Sequence, residues 1–206
     1  MLIDQLIEEG YLKTPRIIQA FRKIKREDFV REEERGAAGL NLPLPIGEGQ
    51  TISQPLTVAF MLENLGPREG DAVLDVGSGS GWTTALLAEI VGERGAVFGI
   101  ERLKALKEFG DQNISKYNFL KKGVVKTFEG DGRQGLPEFG PFDRILVSAA
   151  VEQVPAPLLD QLKITGRLVI PVGKPGQGQE IAVIDRANEN EYEEESFPGF
   201  LFVPLI

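Results

Sequence analysis

The 206-residue chain contains neither cysteine nor histidine. The first absence excludes disulfides, thiolate nucleophiles and cysteine-based zinc sites, and the second removes every mechanism built on an imidazole base. Without histidine, no side chain changes charge near neutrality at its ordinary pKa. A basic excess is lacking too. Lys and Arg number 23 against 31 Asp and Glu, giving a net charge of −8 and an isoelectric point near 4.8. That balance argues against a nucleic-acid footprint or a broadly cationic membrane patch. No uncharged apolar run approaches the ~20 residues that cross a bilayer. The start, MLIDQLIEEGYL, has no basic leader and no small-residue cleavage site. A cytoplasmic protein that engages neither nucleic acid nor membrane is expected. What is present is an ordinary globular mix, 42% hydrophobic and 26% charged, of a size for one domain. The chemistry left open is that of carboxylates, hydroxyls, lysines and backbone groups.

Along the chain, Leu2, Ile3, Leu6 and Ile7 repeat at helical spacing up to Gly10. Thr14-Pro15 reads as N-cap and first residue of a second helix, with Ile17, Ile18, Phe21 and Ile24 as its apolar stripe. Residues 1–35 are therefore expected to form a helical cap, with the charged run Arg22 to Arg35 as a solvated connector. The stretch 36–55, GAAGLNLPLPIGEGQTISQP, is rich in Gly and Pro and has no helical period. A loop of that length inside a compact domain is often functional.

From residue 56 the pattern becomes regular. Strands are expected at AVLDVG (72–77), AVFGIE (96–101), VVKTFEGDG (124–132), FDRILVSAA (142–150) and GRLVIPVG (166–173). Helical segments separate most of them. That alternation predicts an α/β fold, a doubly wound, mostly parallel sheet in three layers. EIAVIDR (180–186) and FLFVPL (200–205) have no helix between them and predict an antiparallel C-terminal pair. The acidic EYEEES between them is expected at the hairpin tip.

Ligands of open α/β sheets bind outside the carboxyl ends of the strands. The first strand ends in Asp75-Val76-Gly77-Ser78-Gly79-Ser80-Gly81. A dinucleotide fingerprint would need glycine at position 82, where Trp82 stands, so a nicotinamide enzyme is disfavoured. On its own the glycine turn is equally a tight strand-to-helix connection. The second strand ends in Glu101, a carboxylate suited to accept from two ribose hydroxyls. The third runs into Gly130-Asp131-Gly132, a second carboxylate that could accept from the amine of adenine. Taken singly, either acid is more often a helix cap or a solvated residue. At the ends of consecutive strands, all three features together point to a nucleoside without a phosphate cradle.

DVGSGSGWTTALLAEIVG, GIERLKAL and EGDGRQG resemble the successive motifs of class I S-adenosylmethionine-dependent methyltransferases. LPLPIGEGQTISQP together with FLFVPL, TPRIIQAFRKIKREDFV and GRLVIPVG resembles, more narrowly, the protein-L-isoaspartate (D-aspartate) O-methyltransferase family. The likeness covers nearly the whole chain, so 1–206 is expected to be one methyltransferase domain with a Rossmann-like core at 56–206. The resemblance implies S-adenosyl-L-methionine as methyl donor, S-adenosyl-L-homocysteine as product, no metal, and isoaspartyl-containing proteins and peptides as partners. It implies that Gly77, Ser78, Gly79, Ser80 and Gly81 wrap the methionine part, with Asp75 shaping the turn. Glu101 would hold the ribose, and Asp131 and Gly132 the adenine. Gln50, Thr51, Ile52 and Ser53 would lie over the cofactor, Ser53 being the active-site residue that binds the isoaspartyl carboxylate. A monomer is expected, since no uncapped apolar helix face stands out.

The chain departs from the family pattern at Leu56, where many members carry an aromatic or imidazole residue, and at GAAGLNL, where they carry tyrosine and acid. Its tail after FLFVPL is shorter than usual for them. Two alternatives follow: a methyltransferase of the same fold with another acceptor, and a module that holds the adenosyl ligand without turnover.

Overall fold

A computed structural model describes residues 2–174 and 177–206. The chain opens with helices α1 (Leu2–Glu8) and α2 (Pro15–Lys23). The Thr14 hydroxyl does not cap α2; it donates 2.7 Å to Glu63, and the Thr14 amide donates to the same carboxylate. The segment after α2 is a solvated connector only in part, with Arg31, Glu32, Glu33 and Arg35 exposed. It forms short 3-10 turns at Arg26–Phe29 and Glu32–Ala37, and Ile24, Arg26, Phe29 and Val30 are all buried. The Gly/Pro-rich stretch that follows contains an antiparallel hairpin of β1 (Leu44–Gly47) and β2 (Gln50–Ile52). Helix α3 (Pro55–Leu65) begins immediately behind it.

The core strands are β3 (Ala72–Val76), β4 (Ala96–Glu101), β5 (Val125–Glu129), β6 (Phe142–Val147), β7 (Leu162–Val172), β8 (Gln179–Arg186) and β9 (Tyr192–Phe200). They form one sheet in the order β5-β4-β3-β6-β7-β8-β9, parallel through β7 and antiparallel beyond it. Helices α4 (Trp82–Val91), α5 (Lys104–Ser115) and α6 (Ala156–Asp160) link the parallel strands. Alternation along each strand supplies two apolar faces. Val73, Val97, Leu146 and Val169 pack beneath α2 to α5, while Leu74, Ile100, Ile145 and Ile170 pack against Phe142, Leu158 and Leu162 on the other side. The chain steps outward from β3 to β5 and then returns to place β6 beside β3. The strand order therefore reverses at β3/β6, where the loops at the carboxyl ends part and a crevice opens.

Two expectations about the end of the chain need correction. Apart from Glu191, the acidic EYEEES segment lies not at the hairpin tip but in β9; the tip lies at 187–191, closed by the Ala187 amide on the Glu191 carbonyl at 2.9 Å. Glu193, Glu194 and Glu195 are exposed on the last strand of the sheet, where charge costs little and discourages pairing with another edge. FLFVPL, beyond Phe200, leaves the sheet and crosses back over the strand ends. The Ala150 amide donates to the Val203 carbonyl and the Leu205 amide to the Ala150 carbonyl, both at 2.8 Å. Among the described residues, no helix is long and apolar enough to cross a membrane.

Candidate active site

The turn after β3 forms the floor of the crevice. Gly77, Gly79 and Gly81 all have positive φ, at 74°, 52° and 84°, a region that costs other residues steric energy. The Gly77 and Ser78 amides donate to the Ile100 carbonyl on β4. The Ser80 carbonyl accepts from Nδ2 of the buried Asn113 side chain at 3.0 Å. A Cβ on Gly81 would lie 2.8 Å from Ile114, and one on Gly110 would lie 2.8 Å from the Gly79 carbonyl. The third glycine is therefore set by close packing on α5. Gly110, in the middle of that helix, is its counterpart, and nothing in its local sequence announces it.

Glu101 closes the turn from the side. Its Oε2 accepts from the Gly79 amide and its Oε1 from the Leu103 amide, both at 2.9 Å, and it is 8% exposed. Each carboxylate oxygen has room for a second donor, so Glu101 locks the turn while keeping acceptor capacity where it lines the crevice. Ile100, Leu103 and Leu106 give the same crevice an apolar wall, and the Gly132 backbone borders it. This combination of anionic acceptor, apolar wall and bare backbone fits an adenosyl group.

Asp75 lies beneath the turn, fully buried, with Oδ2 accepting from the Thr83 and Thr84 hydroxyls at 2.9 and 2.6 Å and Oδ1 without a partner. Burial pushes its pKa up to about 6, partly offset by the two hydroxyl bonds and reinforced by the nearby negative charge of Glu101. The folded state therefore binds a proton more tightly than the unfolded chain does. Stability contributed by this group falls as pH rises from about 4 to about 6, by up to ~3 kcal/mol, and the loss is complete above that window. Urea unfolding of Asp75→Asn across pH 4–7 is expected to lack this fall. A stability difference between the two proteins that stays constant with pH contradicts it.

The β1–β2 hairpin and its continuation form the roof. Gln50, Thr51, Ile52 and Ser53 line the crevice opposite Gly77, Ser78, Gly79 and Ser80. Among the described residues, the fold engages Ser53 through its carbonyl, which accepts from Arg26 Nη2 at 3.1 Å, and not through its hydroxyl. A second cavity adjoins the first and shares Thr51, Ser53, Ser148 and Val203 with it; Pro43, Gln54, Thr57, Leu201 and Phe202 complete its walls. Ser53 thus stands where the crevice meets the adjoining cavity.

Ten of the thirteen residues singled out in the sequence line this crevice: Gln50, Thr51, Ile52, Ser53, Gly77, Ser78, Gly79, Ser80, Glu101 and Gly132. Asp75 and Gly81 support it from behind. Asp131 sits beside it with its acceptors taken up. Arg133 donates to both of its oxygens, at 2.6 to 3.1 Å, and Arg102 pairs with it at 3.5 Å. Those partners hold the Asp131 carboxyl below the usual carboxylate range, the Arg133 hydrogen bond foremost. An adenine amine can reach Asp131 only where Arg133 yields. The sequence reading did not identify Ser148, which borders both cavities, or Arg26, which holds the roof. The only sequence signal for Arg26 was a cation placed between the buried Ile24 and Phe29.

A family model described as protein-L-isoaspartate(D-aspartate) O-methyltransferase matches residues 1–206. The chain is 42% identical over 205 residues to a protein-L-isoaspartate O-methyltransferase of Aeropyrum pernix, covering 100% of this chain and 78% of that one. A protein of the same name from Methanopyrus kandleri is also 42% identical over 205 residues, covering 100% and 89%. A crystal structure from Plasmodium falciparum, described as a protein-L-isoaspartate O-methyltransferase in complex with S-adenosyl-L-homocysteine, superposes with a TM-score of 0.89 at 27% identity, covering 100% of this chain and 96% of that one.

Proposed function

The chain belongs to the protein-L-isoaspartate(D-aspartate) O-methyltransferase family, and from that premise we propose that it transfers the methyl group of S-adenosyl-L-methionine to the free carboxylate of L-isoaspartyl residues in damaged proteins and peptides. The observation that carries the reading is the position of Ser53, at the junction of the Glu101 crevice and the adjoining cavity. When bound, the cofactor supplies a sulfonium methyl, an electrophile that needs no further activation. The chain's own residues supply placement.

Glu101 is the acceptor for the ribose hydroxyls, and the turn from Gly77 to Gly81 bounds the methionine end. Gly132 and, once released by Arg133, Asp131 face the adenine. Gln50, Thr51 and Ile52 cover the crevice and exclude water. The Ser53 hydroxyl donates to the acceptor carboxylate and holds one oxygen toward the crevice. That carboxylate is already ionised at neutral pH, so no proton has to leave and no base is needed. A chain without histidine or cysteine can perform this step. Orientation of bound reactants can lower such a barrier by up to roughly 7–11 kcal/mol. The enzyme is proposed to act as a monomer in the cytoplasm, with 1–206 as one catalytic unit.

The test is transfer of labelled methyl to a peptide containing L-isoaspartate and to its normal aspartyl twin. Label is expected in the first and not in the second. Equal labelling of the two would point to another acceptor chemistry, and labelling of neither to a module that binds without turnover; either result overturns the proposal.

A further inference from the structure

Arg26 is 7% exposed, and among the described residues it makes no ion pair with a carboxylate. Its partners are backbone carbonyls. Nη1 donates to Ala38 and Leu40 at 3.1 and 3.2 Å, and Nη2 to Leu42 and Ser53 at 2.7 and 3.1 Å. Nε has no partner, and the guanidinium lies over the Trp82 ring, 5.5 Å from its centroid. Burial lowers its pKa to about 10, which leaves it charged at neutrality. A buried charge without a counter-ion is costly unless it is hydrogen-bonded, and here four backbone carbonyls receive the guanidinium.

Its contacts join two places that matter to the reaction. Four donors hold one stretch of the roof, 38–53, at both ends. The guanidinium carbon lies 5.5 Å from the ring centroid of Trp82, the first residue of α4, directly after the glycine turn. Trp82 and Ser53 both line the crevice, whereas Ala38, Leu40 and Leu42 do not. Resting on the function proposed above, we infer that Arg26 is a positioning residue that couples the glycine turn to the Ser53 roof, so that filling the crevice orders residues 38–42 and sets Ser53 for the acceptor. Coupling of this kind is reciprocal: the cofactor side tightens the acceptor side by the same factor as the reverse.

Hydrogen exchange on the wild-type protein, with and without S-adenosyl-L-homocysteine, tests this. The readout is the amides of Ala38 and Leu40, bonded to the Arg35 and Ala37 carbonyls and outside the crevice lining. Their exchange is expected to slow about fivefold or more on binding, the lower end of ordinary coupling. In Arg26→Lys, which keeps the charge but loses the planar fork, the slowing is expected to vanish. The same variant is expected to raise the KM for an isoaspartyl peptide about tenfold while S-adenosyl-L-homocysteine affinity moves less than about threefold, a split that general loosening would not produce. Unchanged exchange in the wild type while ligand binds overturns the inference without recourse to any variant. Slowing retained in Arg26→Lys, or equal losses on both sides, overturns it as well. Failure of S-adenosyl-L-homocysteine to bind the wild type at all overturns the proposed function and this inference together.

Discussion

Glu101→Gln is expected to weaken S-adenosyl-L-homocysteine binding by about 100-fold with the fold intact. Both oxygens of Glu101 accept from backbone amides, of Gly79 and Leu103. Glutamine has the same shape but presents an NH2 where one oxygen stood. That group faces either the Gly79 or the Leu103 amide, donor against donor, and the turn has to shift. The charged acceptor proposed for the ribose hydroxyls is lost as well. A hydrogen bond to a charged group contributes about 1.5–3 kcal/mol, and a total near 3 kcal/mol is about two orders of magnitude in affinity. Calorimetric titration with S-adenosyl-L-homocysteine measures it, with thermal unfolding as the control for folding. Affinity within about threefold of the parent removes Glu101 from the site.

The Ser53→Ala variant is expected to show the opposite pattern. Its backbone carbonyl remains available to Arg26, so the roof keeps its position and S-adenosyl-L-homocysteine affinity stays within about threefold. Turnover of an isoaspartyl peptide is expected to fall about 10- to 100-fold, the equivalent of one lost hydrogen bond to a carboxylate. Turnover at the parent rate means the hydroxyl does not hold the acceptor. Together the two variants separate the halves of the site, Glu101 acting through the nucleoside and Ser53 through the acceptor.

The sheet was readable from the sequence because its signals are local. Buried strands read as short apolar runs, the alternation with helices implies parallel pairing, and the carboxyl ends of such strands are where ligands bind. Glu101 and the glycine turn followed from that logic, and the bounds of the strands at 72–77 and 96–101 agree with β3 and β4 to within one residue. What stayed hidden depends on distant partners. Arg26 sits in a charged run and resembles a surface residue until the carbonyls of 38–53 fold over it. Gly110 looks like a flaw in a helix until the Gly79 carbonyl is seen against it. The β9 segment was misplaced because an edge strand exposed to solvent can be acidic, and its composition then mimics a turn. Asp131 is a different kind of omission. Its partner Arg133 is only two residues away, and a pairing that close was open to inference from the sequence.

All of this chemistry depends on methyl transfer proceeding by placement of an ionised oxygen, with no group removing a proton. The pH dependence of kcat, measured at saturating S-adenosyl-L-methionine and isoaspartyl peptide between pH 6.5 and 9, addresses that directly. The range lies above the ordinary pKa of the acceptor carboxyl and above the value of about 6 to which burial pushes Asp75. A profile flat to within about twofold is expected. A limb rising tenfold per pH unit would reveal a base in the bound complex, and transfer by placement alone would then be wrong.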